Sequence, residues 1–341
     1  MAATRTTIDV RRGAGRRQFL LAGASTAAAL TLPWLCGPAR AARADTIRLL
    51  CSGPAGSIPD LIARTIGEQL TGVLGQRAIV DNKPGAAGQL SISALKAAPA
   101  DGSTLLLAQG AIATVYPYLY ARLGYDAGVD LKPVSLAGEM SLALAVGPAV
   151  PNEVSTLADF IVWLRRHPAE ANIGSPGTGT LPHLLSAMLL GEEKLAWQHI
   201  AYSGGPPAVT DLLGGRLAGL VLPEGLLRQH HESRRVRVLA TTGPMRSAYL
   251  PDVPSFAEQG RPDLIVKEWF AFFAPGQTPS DVVVATAAAL HKAIARPEVA
   301  ATFAQAGITP VSSSPAALSG RIAAEQRHWQ HVLRVHDIHA E

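Results

Sequence analysis

From residue 46 onward the chain alternates short apolar segments with helical patterns, and this alternation limits the possible folds more than any other feature. Strands are predicted near residues 46–52, 78–81, 104–108, 134–136, 142–146, 172–174, 197–201, 219–222, 236–241 and 266–273. Helices are predicted near residues 59–74, 86–97, 113–120, 156–167, 180–190, 206–213 and 226–230, followed by a mostly helical C-terminal part. Strands and helices that alternate at this spacing are typical of an α/β protein with mostly parallel sheets.

Residues 1–44 have the pattern of an export signal. An arginine pair, Arg16-Arg17, precedes the apolar residues 19–35, and an A-R-A tripeptide of the cleavable type ends at residue 44. The apolar stretch is short and rich in alanine and threonine, which favours a cleaved twin-arginine-type signal over a membrane anchor. We therefore expect a mature protein that begins at Asp45 and is located in the periplasm.

The basic character of the whole chain comes from this N-terminal segment. The chain has 30 lysines and arginines against 26 acidic residues, but residues 45–341 have 23 against 25, a net charge near −2. No run of basic residues interleaved with aromatic ones remains, which disfavours a nucleic-acid partner. Cys51 is the single cysteine after residue 44, so an intramolecular disulfide is excluded. We expect a monomer that needs no cofactor.

A glycine-rich loop, I-G-S-P-G-T-G-T-L-P-H at residues 173–183, lies between a predicted strand and a predicted helix. The first turn of a helix has unpaired N–H groups and the positive end of the helix dipole, so such a loop favours an anion. The chain contains no Gly-Lys pair, and Pro182 stands where a dinucleotide fingerprint needs glycine. A single carboxylate is the better fit, because the loop has no basic residue. The candidate ligand contacts are Ser175, Thr178, Gly179, Thr180 and His183, with a core or capping role for the histidine equally open.

Two further turns have the same strand-to-helix setting. The turn at residues 54–60 could offer the amides of Gly56 and Ser57 and the serine hydroxyl, although a simple helix start explains it equally well. The turn at residues 202–207 is also rich in glycine, whereas residues 81–88 are better interpreted as a capped turn. Several helix N-termini would then meet at one cleft. The additional candidate ligand contacts are Ile58, Asp60, Gln109, Tyr202 and Gly204, and a structural role at the helix start is favoured for Asp60.

Motifs for catalysis and for metal binding are missing from the sequence. It has no G-x-S-x-G and no H-E-x-x-H pattern. His230, His231 and the histidines after residue 327 are interpreted as solvated helix faces. No catalytic residue and no metal site is therefore predicted.

Seven strings, in order, resemble the periplasmic solute receptors of tripartite tricarboxylate transporters, often called Bug proteins. They are PAGSIPDLIAR, DNKPGAAG, PADGSTLLL, GSPGTGTLPHLL, HIAYSGGPPAVTDLLGGRL, LPDVPSFAEQG and EWFAFFAPGQTP, and they extend over essentially all of residues 45–338. The chain departs from the family pattern at three serines. Ser57 replaces a glycine, Ser203 a lysine or arginine, and Ser103 a tyrosine.

This resemblance implies a two-lobed periplasmic binding protein fold of the type II kind. One lobe would comprise residues 45–144 and 268–341 and the other residues 145–267, with two crossing strands as a hinge near Leu144 and Trp269. The expected function is non-enzymatic: the receptor captures a small carboxylate and delivers it to the membrane permease subunits of the transporter. The alternatives are a receptor that presents its ligand to a signalling partner and, less favoured, an exported α/β hydrolase.

Overall fold

A computed structural model describes residues 46–74 and 77–340, and the predicted export signal lies outside these residues. They form eleven strands: β1 Thr46–Cys51, β2 Arg77–Asn82, β3 Thr104–Gln109, β4 Leu131–Met140, β5 Leu142–Val146, β6 Asn172–Ser175, β7 Gln198–Ala201, β8 Gly219–Pro223, β9 Arg237–Thr241, β10 Glu268–Pro275 and β11 Thr309–Pro310. The α-helices are α1 Ile58–Leu74, α2 Gln89–Lys96, α3 Ala111–Thr114, α4 Tyr116–Leu119, α5 Ala127–Asp130, α6 Leu157–Arg166, α7 Leu181–Glu192, α8 Gly205–Leu213, α9 Glu224–Glu232, α10 Ser280–Ile294, α11 Pro297–Gln305 and α12 Pro315–Val335. Short 3₁₀ turns occur at Ala86–Gly88, Pro168–Glu170 and Pro262–Leu264. The predicted alternation of strands and helices is confirmed.

The strands form two mixed sheets. The first sheet has the order β11-β4-β10-β3-β1-β2, and the second has the order β7-β6-β8-β5-β9. In the first sheet β1 pairs in parallel with β2 and β3, while β10 and β11 form antiparallel pairs. In the second sheet β6 is parallel to β7 and β8, and β5 is antiparallel to β8 and β9.

The two sheets are thus mixed rather than mostly parallel, and the path of the chain explains why. The chain passes from β4 in the first sheet to β5 in the second through one residue, Ser141, and it returns to the first sheet at β10. An outgoing strand and a returning strand run in opposite directions, so β10 pairs antiparallel to β4. All of β5 lies in the second sheet, whereas the predicted lobe boundary falls within this strand, after Leu144.

Regular spacing of apolar residues produces the observed helices. In α1 the side chains of Ile58, Ile62, Ile66 and Leu70 recur every four residues, and all four are buried in one cluster against the first sheet. Strand β3 lies inside the first sheet, and its alternate residues pack into two different clusters, Leu105 and Leu107 into one and Leu106 and Ala108 into the other. Both of its faces are therefore covered, and its apolar run needs no alternation. A separate cluster of buried apolar side chains packs against the second sheet.

Two predicted helices differ from the observed ones by more than a shift of two residues at their ends. The predicted helix at residues 113–120 is two short helices, because Pro117 lacks the N–H group that would continue the hydrogen-bond ladder. The predicted helix at residues 86–97 begins only at Gln89, after the 3₁₀ turn. Helix α6 begins as predicted, where Thr156 and Asp159 form a reciprocal capping box.

Candidate binding cleft

A cavity of about 360 Å³ lies between the loops of the two sheets. On one side it is lined by the loops after β1 and β2 and by the end of β3, and on the other by the loops after β6, β7 and β8. These are the carboxyl ends of parallel strands, where α/β sheets commonly bind ligands. The volume lies within the range of small-molecule sites.

The structure brings seven of the twelve predicted site residues to this cavity and leaves five outside its lining. The residues that line it are Ser57, Ile58, Gln109, Thr178, Thr180, Tyr202 and Gly204. The residues that do not line it are Gly56, Asp60, Ser175, Gly179 and His183.

Asp60 holds the first loop in place. Its carboxylate accepts hydrogen bonds from the Gly56 amide at 2.9 Å, from Arg64 Nε at 3.0 Å and from Asn82 Nδ2 at 2.9 Å. Burial raises the pKa of Asp60, but the hydrogen bonds from these three partners outweigh burial and hold the pKa below its usual range. The carboxylate therefore stabilises the loop, which is the structural role that its position at the helix start favoured.

The second loop lines the cavity, so its interpretation as a capped turn alone is incomplete. Ala86 and Ala87 both have left-handed backbone conformations, with φ of 45° and 51°. Such conformations are unfavourable for alanine and persist only where the surroundings hold them. Here Gln109 Nε2 and the Tyr116 hydroxyl both donate to the Ala87 carbonyl, at 2.6 and 2.9 Å. Gln109 thus shapes the loop of the cavity as well as lining it.

The glycine turn of residues 173–180 uses many of its own donors internally. The Ser175 hydroxyl lies 3.1 Å from the Gly177 carbonyl and 2.7 Å from His199 Nε2. The Thr180 hydroxyl donates to the same carbonyl at 2.7 Å. Ser175 is fully buried beneath the turn. These groups therefore fix the shape of the turn.

Two histidines support the turn from below. His183 Nδ1 accepts the Gly179 amide at 3.2 Å, and the rings of His183 and His199 stack with centroids 3.9 Å apart. Burial lowers the pKa of His183 to about 3 and that of His199 to about 4. Both rings are uncharged at neutral pH, so the turn has no cation beneath it. From the opposite side of the cleft, the Tyr120 hydroxyl donates to the Thr178 carbonyl at 2.9 Å.

The third turn closely approaches the first loop. A Cβ atom on Gly204, whose φ is +110°, would lie 3.0 Å from Pro54 Cγ. The Tyr202 hydroxyl donates to Asp211 at 2.8 Å, which leaves the ring against the cavity. In the described residues, the amide and hydroxyl groups of Thr178 and Ser203 make no hydrogen bond within the protein. They are open donors at the cavity wall.

The described residues that line the cavity include no lysine, arginine or histidine and a single acid, Glu268. This residue is 4% exposed. Burial first, and the nearby charge of Glu325 second, raise the pKa of Glu268 to about 8. Sequence reasoning missed this residue, although one acidic residue at the start of the apolar run E-W-F-A-F-F-A was a usable signal.

A nucleophile and base suited to hydrolysis are not arranged at the cavity wall in the described part of the chain. Ser175 and His199 are within hydrogen-bond distance of each other, but Ser175 is fully buried and outside the cavity lining. Within residues 46–74 and 77–340 no three potential ligands from His, Cys, Asp and Glu cluster around a metal position. None of the helices there combines the length and apolar character needed to cross a bilayer.

Two mixed sheets, joined by chain crossings and separated by a cleft at their strand ends, define the class of periplasmic binding proteins. The sequence model of the tripartite tricarboxylate transporter family receptors matches residues 62–337, and the chain belongs to that family. This confirms the predicted family. BugT of Bordetella pertussis is 33% identical over 292 residues, which make up 85% of this chain and 89% of BugT.

Solved structures confirm the fold. The periplasmic binding protein BugD superposes with a TM-score of 0.81 at 24% identity, over 87% of this chain and 99% of BugD. An R. palustris protein solved with adipate has a TM-score of 0.81 at 26% identity, over 86% of this chain and 98% of that protein. The family comprises receptors, which is consistent with a binding function for the cleft.

Proposed function

We propose that the protein is a periplasmic receptor that captures a small carboxylate in this cleft and delivers it to the permease subunits of a tripartite tricarboxylate transporter. The observation that carries the proposal is the set of open amide and hydroxyl donors at the cavity wall. A buried carboxylate requires such donors, and hydrogen bonds to a charged group contribute about 1.5–3 kcal/mol each. Adipate in a relative with the same fold supports a carboxylate ligand.

The carboxylate would be held mainly from the glycine turn. Thr178 offers an amide and a hydroxyl, and Ser203 offers the same pair from the neighbouring turn. Ser57 and Ile58 would close the cavity from the opposite loop. The Ser57 hydroxyl donates to the Pro54 carbonyl at 2.5 Å, so its role would be to shape that loop.

Ligand capture would involve closure of two lobes. Loops from the two sheets already touch through the Tyr120–Thr178 hydrogen bond and the close approach of Gly204 to Pro54. We place the crossings at Ser141 and in the segment before Glu268, which shifts the first boundary by a few residues from the predicted one. A ligand that contacts both lobes only when they are closed would stabilise the closed state.

A thermal-shift screen of residues 45–341 against mono-, di- and tricarboxylates and aromatic acids tests the proposal. A ligand at a free concentration one hundred times its Kd should raise the free energy of unfolding by about 2.7 kcal/mol. Thr178→Val removes one donor and should weaken binding by about tenfold or more. Thr286→Val is the matched control, because that hydroxyl donates to Val282 within α10, outside the cavity lining. Absence of stabilisation by every carboxylate would remove the proposal.

Export through the twin-arginine route has its own test. Replacing both Arg16 and Arg17 by lysine should leave the precursor in the cytoplasm, as measured by fractionation and immunoblotting. Undiminished delivery to the periplasm would contradict this route and leave the binding proposal intact.

A further inference from the structure

Glu268 stands at the junction of the cleft and the chain crossing. It is the first residue of β10, where the chain returns to the first sheet, and it pairs with Met140 at the end of β4. The side chain lines the cavity and is almost completely buried. Its Oε1 atom has no hydrogen-bond partner among the described residues. A buried oxygen without a partner is unfavourable, so a ligand that satisfied it would gain affinity.

The basic groups near this end of the cleft are bound by other acids. Arg321 forms ion pairs with Glu139 and with Glu325, and Lys267 lies 3.8 Å from Glu139. Glu325 also accepts the indole N–H of Trp269 at 2.9 Å. No ion pair of Glu268 occurs among the described residues.

The charge that acts on Glu268 favours its uncharged form. Glu325 on α12 adds a negative charge nearby, and Tyr116 of α4 is itself neutral because burial raises its pKa well above the usual range. With its pKa raised to about 8, Glu268 is protonated at pH 7 and can both donate and accept a hydrogen bond.

The lack of basic side chains in the lining also restricts the charge of the ligand. A dicarboxylate would place a second negative charge in a cleft whose described lining has no basic side chain and one acid. Burying this second charge without a cation to compensate it is unfavourable. A hydroxyl or carbonyl group would satisfy Glu268 without adding a charge.

We propose that Glu268 determines specificity: its uncharged carboxyl group hydrogen-bonds to an uncharged hydroxyl or carbonyl oxygen of the ligand, so that the receptor prefers singly charged carboxylates to dicarboxylates. This inference rests on the proposed carboxylate-binding function. It assigns the glycine turn to the carboxylate and Glu268 to the other polar end of the ligand.

The proposal predicts a pH dependence that the tyrosines and histidines near the cleft do not produce. Burial raises the pKa of Tyr120, and burial together with Asp211 raises that of Tyr202 to about 12. The pKa values of His183 and His199 are lowered to about 3 and about 4. Between pH 6 and 9 Glu268 is therefore the group in this set that changes charge. If only its protonated form binds, Kd should increase about tenfold between pH 7 and pH 9.

The test compares 6-hydroxyhexanoate, adipate and 6-aminohexanoate, which share one carboxylate and differ at the other end. Kd is measured by calorimetry at pH 7 and pH 9. The acid that stabilises the protein most in the carboxylate screen is measured at the same two pH values. We expect 6-hydroxyhexanoate to bind at least tenfold more tightly than adipate at pH 7. In Glu268→Gln, whose amide does not titrate, Kd should be the same at both pH values.

Glu224→Gln provides a matched control. Glu224 is also buried, and burial raises its pKa to about 7, but it does not line the cavity. This variant should keep the wild-type pH dependence of binding. The same pH dependence in Glu268→Gln as in the wild type, or a wild-type Kd that does not change with pH, would overturn the inference and leave the receptor function standing.

Preference for adipate or for 6-aminohexanoate would also overturn the inference. The second result would mean that Glu268 binds an ammonium group as a carboxylate. If no acid in the screen binds at any pH, the proposed function itself fails, and this inference falls with it.

Discussion

Substitution of Gly179 by alanine should destabilise the protein through two separable effects. Gly179 has φ of +80°, a left-handed conformation that is unfavourable by about 1–2 kcal/mol for a residue with a Cβ atom. That Cβ would also lie 2.5 Å from Leu119 Cδ2 and 3.1 Å from the Tyr120 hydroxyl oxygen. Overpacking of this kind contributes about 1–3 kcal/mol. We therefore expect the free energy of unfolding to fall by about 2–5 kcal/mol.

Urea unfolding followed by tryptophan fluorescence measures the change. Gly191→Ala is the matched control, because Gly191 lies in helix α7 and a Cβ atom added there would have no clashing neighbour, with open space for 4 Å around it. The free energy of unfolding of this control should rise by about 0.5–1 kcal/mol, since alanine is a better helix former than glycine.

A double-mutant cycle separates the two effects of Gly179→Ala. Leu119→Ala removes the side-chain atom closest to the new Cβ and leaves the longer contact with the Tyr120 hydroxyl, so in that background the cost should fall toward the backbone part, about 1–2 kcal/mol. If Gly179→Ala changes stability by less than about 0.5 kcal/mol in both backgrounds, the turn does not have the strained conformation on which this reasoning depends.

Three further results are expected. Tyr120→Phe removes the hydroxyl that donates to the Thr178 carbonyl across the cleft. The affinity for the acid that binds most tightly in the screen should fall by up to about tenfold. Unchanged affinity would contradict a role of this hydrogen bond in closure. Glu325→Gln removes a charge that raises the pKa of Glu268, so the pH at which binding weakens should move downward, and an upward move would refute the electrostatic argument. Cys51 is fully buried, and burial raises the pKa of its thiol to about 11. In the protein that begins at residue 45, this thiol should therefore react with a thiol reagent at pH 8 only on unfolding. Rapid reaction of the native protein would contradict its burial.

Folding stability should also depend on pH through Glu268. Its pKa is about 8 in the folded protein and 4.5 for an unperturbed glutamate, so the folded state binds the proton more tightly. This contribution to stability is fully present below about pH 4.5 and is lost as the pH rises through about 8. Relative to Glu268→Gln, the wild type should therefore become less stable between pH 5 and pH 8 in thermal unfolding. A constant difference between the two proteins would show that the carboxyl does not titrate in this range.

Local sequence patterns were enough to predict most elements and the loops of the cleft. The four-residue spacing from Ile58 to Leu70 specifies a helix with one buried face, and the apolar run of β3 specifies a buried strand. Glycines before helix starts located the turns that line the cavity. These predictions succeeded because each depends on residues close together in the chain.

The tertiary structure alone decided strand direction and the use of individual polar groups. The apolar patterns of β5 and β10 do not by themselves reveal that the chain leaves the first sheet before one and returns to it at the other; only the family resemblance implied crossings near Leu144 and Trp269. Whether a predicted donor remains open depends on distant partners: His199 meets Ser175 from the neighbouring strand, and the buried position of Glu268 beside Glu325 joins residues 57 positions apart. Burial and pairing are set by such long-range contacts, so the sequence located the cleft while the fold determined which of its groups can meet a ligand.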